Sequence, residues 1–196
     1  MARAVQKSAA LLLTAGAGSS ADHPGLVAIE NALADAVPAI AVLRMDFPYR
    51  LAGRRVPDRP AVLLDAVREG FEHLQRGLPE DAPVVVGGRS MGGRICSMAV
   101  ADGLGAAGLI CMSYPLHPPG KPEKLRVEHL PDVRIPSLFI SGRKDTFATP
   151  AELQTHLATL SGPHTLALLD GVGHDLKRRD AVVASLVGAW LIELLS

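Results

Sequence analysis

Three residues whose types together permit nucleophilic catalysis stand apart in the chain, each just after a short apolar segment. Ser90 lies in the sequence GRSMG, Asp145 ends SGRKD, and His174 ends GVGH. A serine hydroxyl is a weak nucleophile unless a base such as histidine accepts its proton while a carboxylate orients that base. The residues also follow the chain order Ser, acid, His that one known arrangement of this chemistry requires. We therefore expect acyl transfer with Ser90 as nucleophile, His174 as base and Asp145 as orienting acid.

The sequence around Ser90 matches the pattern G-x-S-x-G in the setting that gives the pattern meaning. An apolar segment, Pro83–Gly87, precedes it and a helical segment follows at once. A strand-to-helix turn this sharp strains the serine backbone, and glycines at 88 and 92 remove side chains that would clash there. The alternative is an ordinary Gly-rich turn with an incidental serine. The strand–turn–helix setting favours the nucleophile interpretation.

Acyl transfer also needs N–H donors for the oxyanion that forms on the substrate carbonyl. The residue after the nucleophile, Met91, supplies one backbone amide. The second is expected from the loop after the first apolar segment, which reads TAGAGSS from Thr14. Small residues there allow backbone amides to approach a substrate closely. We choose Ala17 as the second donor and Gly16 as the next candidate.

The elements that must position these residues alternate along the chain. Six short apolar segments, buried on both faces if they are strands, are typical of a parallel sheet covered by helices: Ala9–Thr14, Ala39–Arg44, Pro83–Gly87, Ala107–Ser113, Pro136–Ser141 and His164–Leu169. Helical segments separate or follow them: Asp22–Ala36, Arg59–Arg76, Met91–Asp102, Pro150–Leu160 and Lys177–Leu195. This order predicts a doubly wound α/β domain of about six parallel strands spanning residues 1–196. Ligands in such sheets bind beyond the carboxyl ends of the strands, where all three candidates lie.

The stretch from Tyr114 to Arg134 is irregular and contains five prolines. We interpret it as a loop with one short helical turn at Pro122–His129, too short to form a cap domain. It lies at the same end of the sheet as Ser90, so His117 is a candidate substrate contact; the alternative is a solvated loop residue. An uncapped site predicts a small acyl substrate.

Other polar residues have simpler interpretations. Asp170 and Asp175 flank His174 and are alternative orienting acids, although capping a turn or helix is the simpler role for each. Four histidines at helical or strand-edge positions are interpreted as surface or packing residues: His73, His129, His156 and His164. Three arginines after the second apolar segment either attract an anionic substrate or form a solvated cluster: Arg50, Arg54 and Arg55.

Composition excludes several classes of function. Lys+Arg and Asp+Glu are 20 each and scattered, so the 196-residue chain lacks the clustered positive charge with which proteins bind nucleic acid or anionic membranes. Its two cysteines, Cys96 and Cys111, have no metal-ligand spacing and are interpreted as buried apolar residues, so no metal or other cofactor is predicted.

The N-terminus permits two interpretations. Arg3 and Lys7 before the apolar segment resemble a short secretory signal peptide; the alternative is a strand followed by a Gly-rich loop. Removing the segment would remove both the first strand and the Ala17 donor. We therefore favour the strand and expect a cytoplasmic protein.

With these residues identified, the sequence resembles the α/β hydrolases. It is similar to the dienelactone-hydrolase-like bacterial branch, which includes the testis-expressed hydrolase-like protein and the third regulatory subunit of the non-specific-lethal histone acetyltransferase complex. The matching segments are LLLTAGAG (11–18), DFPYRLAGRRVPDR (46–59), GGRSMGGR (87–94), SYPLHPPG (113–120), SGRKDTF (141–147) and GVGHDL (171–176). The resemblance implies the α/β-hydrolase fold, a Ser90–Asp145–His174 triad and no large cap domain. Ala15 stands where the family usually has histidine, and Ser90 where true dienelactone hydrolases have cysteine.

Two functions from different classes follow. The first is a serine hydrolase of small esters or thioesters, with Ala17 and Met91 as oxyanion donors. The second is a non-catalytic binding or scaffold module, as in the chromatin-complex relative. A scaffold does not need all three catalytic residue types at three strand ends, which favours hydrolysis. A dehalogenase-like reaction would need a carboxylate at position 90 and is excluded.

Overall fold

A computed structural model of the chain describes residues 8–196 and gives the sheet that the sequence predicts. Within these residues there are six strands: β1 Ala9–Thr14, β2 Ile40–Met45, β3 Val84–Arg89, β4 Gly108–Met112, β5 Ser137–Gly142 and β6 His164–Leu169. All are parallel, in the order β2-β1-β3-β4-β5-β6. The predicted strands are thus confirmed to within two residues at each end. Parallel pairing brings the carboxyl ends of β3, β5 and β6 to one edge of the sheet.

The helices cover both faces of the sheet. Their bounds are α1 Pro24–Ala36, α2 Pro48–Leu51, α3 Pro60–Arg76, α4 Met91–Ala101, α5 Pro150–Leu157 and α6 Asp180–Leu194. Proline opens α1, α2, α3 and α5, where its missing N–H has no helical partner to lose and its fixed φ suits a helix. Helix α5 also has a capping box, because Thr149 and Glu152 satisfy each other's backbone amides.

Alternation along β1 shows how the two layers form. Leu12 packs in the core on the side of α3 and α4, whereas Leu11 and Leu13 pack on the side of α1 and α6. All six residues of β1 are buried. A strand between two helical layers must be apolar on both faces, which is why its sequence is a continuous apolar run.

Two local predictions were wrong or incomplete. The helical turn predicted at 122–129 is absent from the described structure; a 3-10 turn forms at Leu130–Asp132 instead. The earlier segment is drawn into loop structure, because the Arg126 amide donates to the Leu116 carbonyl. The sequence analysis also missed α2, a four-residue helix that begins at Pro48 and is too short to show periodicity.

Further findings concern membrane spans, metal ligands, the N-terminus and the cysteines. Within residues 8–196, no helix is long and apolar enough to cross a membrane. Those residues also contain no cluster of histidine, cysteine or carboxylate side chains that would hold a metal ion. Ala9–Thr14, the apolar part of the signal-peptide interpretation, forms β1; Arg3 and Lys7 lie outside the described residues. Cys96 and Cys111 are buried free thiols, and burial raises the pKa of Cys96 to about 12.

The close approach of β3 to β4 gives a stability prediction. A Cβ added at Gly87 would lie 2.5 Å from the backbone oxygen of Ile110 on β4, a contact that only strand separation relieves. We expect Gly87→Ala to lower the free energy of unfolding by about 2 kcal/mol or more. Urea unfolding followed by circular dichroism measures this. Gly105→Ala is the matched control, because its Cβ would meet nothing within 4 Å; equal midpoints for the two variants would contradict the prediction.

Candidate active site

Three strand ends bring the three predicted residues together. Ser90 follows β3 directly, Asp145 lies in the loop after β5, and His174 lies in the loop after β6. Ser90 Oγ is 2.8 Å from His174 Nε2. His174 Nδ1 is 2.9 Å from Asp145 Oδ2 and 3.1 Å from Oδ1. The structure therefore forms a continuous hydrogen-bonded chain from hydroxyl through imidazole to carboxylate.

Ser90 lies on a strained turn that its neighbours make possible. Its φ is 53° and its ψ is −119°, outside the ordinary regions for a residue with a side chain. A Cβ at Gly88 would lie 2.1 Å from Thr14 Oγ1, and one at Gly92 would lie 2.6 Å from the Ala15 carbonyl oxygen. Both glycines are therefore required because the end of β1 packs directly against the turn. The hydroxyl is held at the N-terminus of α4, the positive end of the helix dipole.

The Asp145 carboxylate is fully buried and anchored on several sides. It accepts a hydrogen bond from the Phe147 amide at 2.8 Å and a longer one from Ser141 Oγ at 3.4 Å. These donors fix the carboxylate while leaving it facing His174. A buried carboxylate in this position holds the imidazole in the tautomer that has its proton on Nδ1.

The His174 ring is held by packing as well as by Asp145. The Phe147 ring stacks on it with centroids 4.0 Å apart and planes inclined at 26°. Arg89 Nη2 donates to the His174 carbonyl oxygen at 3.1 Å, and the loop meets the β5 loop where the Lys144 amide donates to the Val172 carbonyl. The sequence analysis missed Phe147. Its position two residues after Asp145 in SGRKDTF was the available signal.

The first loop lies directly beside the serine. A Cβ at Gly16 would be 3.5 Å from Ser90 Cβ, so this loop contacts the nucleophile turn. The Gly16 amide donates to Ser19 Oγ at 3.1 Å and is occupied, whereas Ala17 and Met91 both line the cavity next to Ser90. Buried Tyr49 donates its hydroxyl proton to the Ala17 carbonyl oxygen at 2.9 Å. Tyr49, in the FPYR segment, is a further residue whose role only the structure revealed.

A cavity of about 360 Å³ opens beside Ser90. It is lined by Ala17, Pro57, Asp58, Pro60, Leu63, Ser90, Met91, Arg94, Pro115, Arg126 and Phe147. The lining is mostly apolar, with two guanidinium groups and one carboxylate. The volume suits a small molecule rather than a polymer.

Some predicted contacts lie elsewhere. His117 is buried, its Nδ1 is 2.8 Å from the Pro118 carbonyl oxygen, and its Nε2 faces Glu152 at 3.5 Å rather than the cavity. The structure therefore does not bring His117 to the substrate position that the sequence analysis expected. The His117 amide also donates to the Phe147 carbonyl oxygen at 3.3 Å, which holds the residue beside the loop after β5.

The flanking acids and one arginine of the predicted cluster, Arg54, have local partners. Exposed Asp175 accepts from the Lys177 amide at 3.3 Å, and Asp170 forms an ion pair with Arg143 at 2.8 Å. Arg54 forms an ion pair with Asp58 at 2.6 Å on the rim of the cavity. The structure thus pairs His174 with Asp145 and gives both flanking acids other roles.

A buried polar network lies behind α4. Ser97 Oγ is 2.8 Å from His129 Nε2 and donates to the Arg94 carbonyl at 2.8 Å; the Tyr114 hydroxyl is 3.2 Å from His129 Nε2. Desolvation, with the Arg94 charge as a second cause, lowers the pKa of His129 to about 4. The sequence analysis interpreted His129 as a packing residue. Its hydrogen bonds join the loop after β4 to the helix that carries Ser90.

Comparisons with known proteins identify the family and the fold. A family model described as an alpha/beta hydrolase domain matches residues 7–188. Among solved structures, dienelactone hydrolase from Anabaena variabilis is 20% identical, with a TM-score of 0.74 over 95% of this chain and 87% of that one. An alpha-beta serine hydrolase homologue from Coxiella burnetii is 15% identical, with a TM-score of 0.78 over 95% and 86%. The esterase domain of a Rhodothermus marinus protein is 16% identical, with a TM-score of 0.72 over 96% and 88%.

A parallel sheet that presents a serine on a strained strand-to-helix turn, with imidazole and carboxylate from later strand ends, defines the α/β-hydrolase class. The family model matches 182 of the 196 residues of this chain, which is enough to assign the chain to a family. It belongs to the alpha/beta hydrolase domain family. The three solved structures named above are 15–20% identical to this chain and support the fold alone.

The His129 network gives a pH prediction. Because the pKa of His129 is about 4 when folded and about 6.5 when unfolded, the unfolded chain binds the extra proton between these values. The contribution of neutral His129 to the free energy of unfolding is therefore fully present above about pH 6.5, and it is lost as the pH is lowered toward 4. We expect His129→Gln to flatten this decline in urea midpoints measured from pH 7.5 to 4.5. Exposed His73 provides the control, His73→Gln, which should keep the wild-type slope; an unchanged slope in His129→Gln would refute the argument.

Proposed function

We propose that this protein is a serine hydrolase that cleaves small esters or thioesters through an acyl-enzyme intermediate. The observation that carries the proposal is the 2.8 Å contact between Ser90 Oγ and His174 Nε2, continued to buried Asp145. A hydroxyl hydrogen-bonded to an oriented imidazole is the arrangement that makes serine reactive at neutral pH.

The residues divide the reaction between them. His174 Nε2 accepts the Ser90 proton as Oγ attacks the substrate carbonyl carbon, and the Asp145 carboxylate stabilises the resulting imidazolium. The imidazolium then gives its proton to the leaving alcohol or thiol as the tetrahedral intermediate collapses to the acyl-enzyme. Water then attacks the acyl carbon as the same imidazole accepts its proton, and the imidazolium returns this proton to Ser90 Oγ as the bond from Oγ to the acyl carbon breaks and the acid leaves.

The oxyanion donors in the proposal are the backbone amides of Ala17 and Met91. Both residues line the cavity beside Ser90, and Met91 opens α4. One well-placed donor is worth about 3 kcal/mol of transition-state stabilisation. Tyr49 is proposed as a positioning residue, since its hydrogen bond to the Ala17 carbonyl sets the orientation of the loop.

The competing proposal is a binding module that retains the fold without turnover. The reactivity of Ser90 distinguishes the hydrolase from the binding module. We expect a fluorophosphonate probe to label the purified protein and Ser90→Ala to abolish labelling, because the probe phosphonylates only an activated hydroxyl. Ser161→Ala is the control, since exposed Ser161 lies in the loop before β6 and its hydroxyl donates to the Pro131 carbonyl oxygen. Absence of labelling in the wild-type protein would support the binding module, and persistent labelling of Ser90→Ala would remove Ser90 from its role.

The two acids near His174 permit a second test. We expect Asp145→Asn to lower kcat for 4-nitrophenyl acetate by roughly 10³–10⁴-fold, because an amide no longer holds the imidazole in the right tautomer. Asp175→Asn, an identical change one residue from His174, should have little effect, since Asp175 is exposed and bonded to its own loop. The reverse order of effects would exchange the roles of the two acids.

A further inference from the structure

The charges in the cavity beside Ser90 are unbalanced. Arg94 and Arg126 both line it, and the carboxylate on the same wall belongs to Asp58. Asp58 is already paired with Arg54, which reaches it through two hydrogen bonds of 2.6 and 3.1 Å. Arg94 and Arg126 therefore both line the cavity, and no ion pair within residues 8–196 joins either of them to a carboxylate; Glu128 acts on Arg94 only as a nearby charge.

Arg94 has a weak partner for a half-buried cation. Its Nη1 donates to the Met98 sulfur at 3.3 Å, and a thioether is a poor acceptor. Desolvation lowers the pKa of Arg94 and the neighbouring charge of Arg126 lowers it too, while Tyr114 and Glu128 oppose this without restoring the ordinary value. Removing a guanidinium from water beside a like charge is unfavourable unless an anion joins it. A bound carboxylate or phosphate would supply the missing charge and acceptors.

The position of Arg94 relates this charge to the proposed chemistry. It lies four residues after Ser90 on the first turn of α4, where its backbone amide donates to the Ser90 carbonyl oxygen at 3.1 Å, and both residues line the same cavity. Apolar residues, among them Leu63, Met91 and Pro115, complete the cavity wall. A short hydrocarbon chain can pack on these residues while its reacting carbonyl lies at Ser90 and its charged end lies at the guanidinium groups.

We propose that Arg94 and Arg126 bind an anionic group on the substrate, a carboxylate or a phosphate, so that the preferred substrate is a small ester or thioester carrying such a group a few atoms from the reacting carbonyl. This inference rests on the proposed hydrolase function. It adds the substrate class and two specificity-determining residues. Neither belongs to the arginine cluster considered from the sequence, which was Arg50, Arg54 and Arg55. Arg54 of that cluster forms an ion pair with Asp58.

The test compares an anionic ester with its neutral counterpart. The substrates are 4-nitrophenyl hydrogen adipate and its methyl ester, which differ in one charge, with uncatalysed hydrolysis subtracted. We expect the wild-type protein to have the higher kcat/KM for the charged ester, and Arg94→Gln or Arg126→Gln to lower this preference by about tenfold, the effect of losing a hydrogen bond between charged groups. Arg94→Lys should keep part of the preference, because it retains charge without the two-pronged donor geometry.

Controls separate a local effect from net charge. Arg76→Gln removes the same charge from the end of α3, where Arg76 is exposed, and should leave the preference unchanged. Inorganic phosphate, assayed as an inhibitor of neutral-ester hydrolysis, distinguishes the two anions. Inhibition that requires Arg94 and Arg126, without preference for the adipate ester, would support a phosphate-bearing substrate.

The outcomes distinguish this inference from the proposed function. Labelling of Ser90 and turnover of the neutral ester, with neither charge preference nor arginine-dependent phosphate inhibition, would overturn the inference and leave the hydrolase proposal intact. Failure of both labelling and neutral-ester turnover would overturn both. An equal loss of turnover for both adipate esters in the arginine variants, with Arg94→Lys no better than Arg94→Gln, would make the arginines structural and also overturn the inference.

Discussion

The contact between the end of β1 and the turn after β3 is the constraint on which the rest of the site depends. Thr14 and Ala15 lie so close to this turn that a side chain at position 88 or 92 would overlap them. Such packing holds Ser90 in a backbone conformation that it would not adopt in a free peptide. The free energy gained by packing the core, in which β1 is buried on both faces, offsets the strain of that conformation. One contact thus presents the hydroxyl and places the Ala17 loop beside it.

The other two strand ends complete the arrangement with different kinds of interaction. Asp145 is fixed by hydrogen bonds from its own loop, whereas His174 is held by Phe147 stacking and by the Arg89 hydrogen bond to its backbone. The imidazole retains 19% exposure and the carboxylate none. This gradient suits their proposed roles, because the base must meet substrate and water while the orienting acid must stay shielded from both. The Asp145 carboxylate can be buried while the His174 imidazole stays accessible, because the two side chains follow different strands.

The cavity beside Ser90 relates the site to the proposed recognition of substrate. Its apolar wall suits a small acyl group, and the two arginines add positive charge that favours an anionic one. Burial of Arg94 beside the like charge of Arg126 is unfavourable, and a bound anion would offset this in a way that a neutral ligand could not. The Ser97–His129–Tyr114 network behind α4 holds the backbone carbonyl of Arg94 and anchors the loop that carries Arg126. The proposed anion site and the Ser97–His129–Tyr114 network therefore share the residue Arg94.

The sequence by itself determined the six-stranded parallel sheet and predicted Ser90, Asp145 and His174 as candidate site residues, because apolar strands covered on both sides and a glycine-flanked serine leave a local signal. It also placed Ala17 and Met91 by their position after strand ends. Only the tertiary structure decided which acid meets His174, since Asp145 and Asp175 differ in direction rather than in residue type. It turned His117 away toward Glu152, moved the helical turn to Leu130–Asp132, and brought Arg94 and Arg126 from different segments to one cavity. Contacts between residues far apart in the chain have no periodicity, and only packing fixes them.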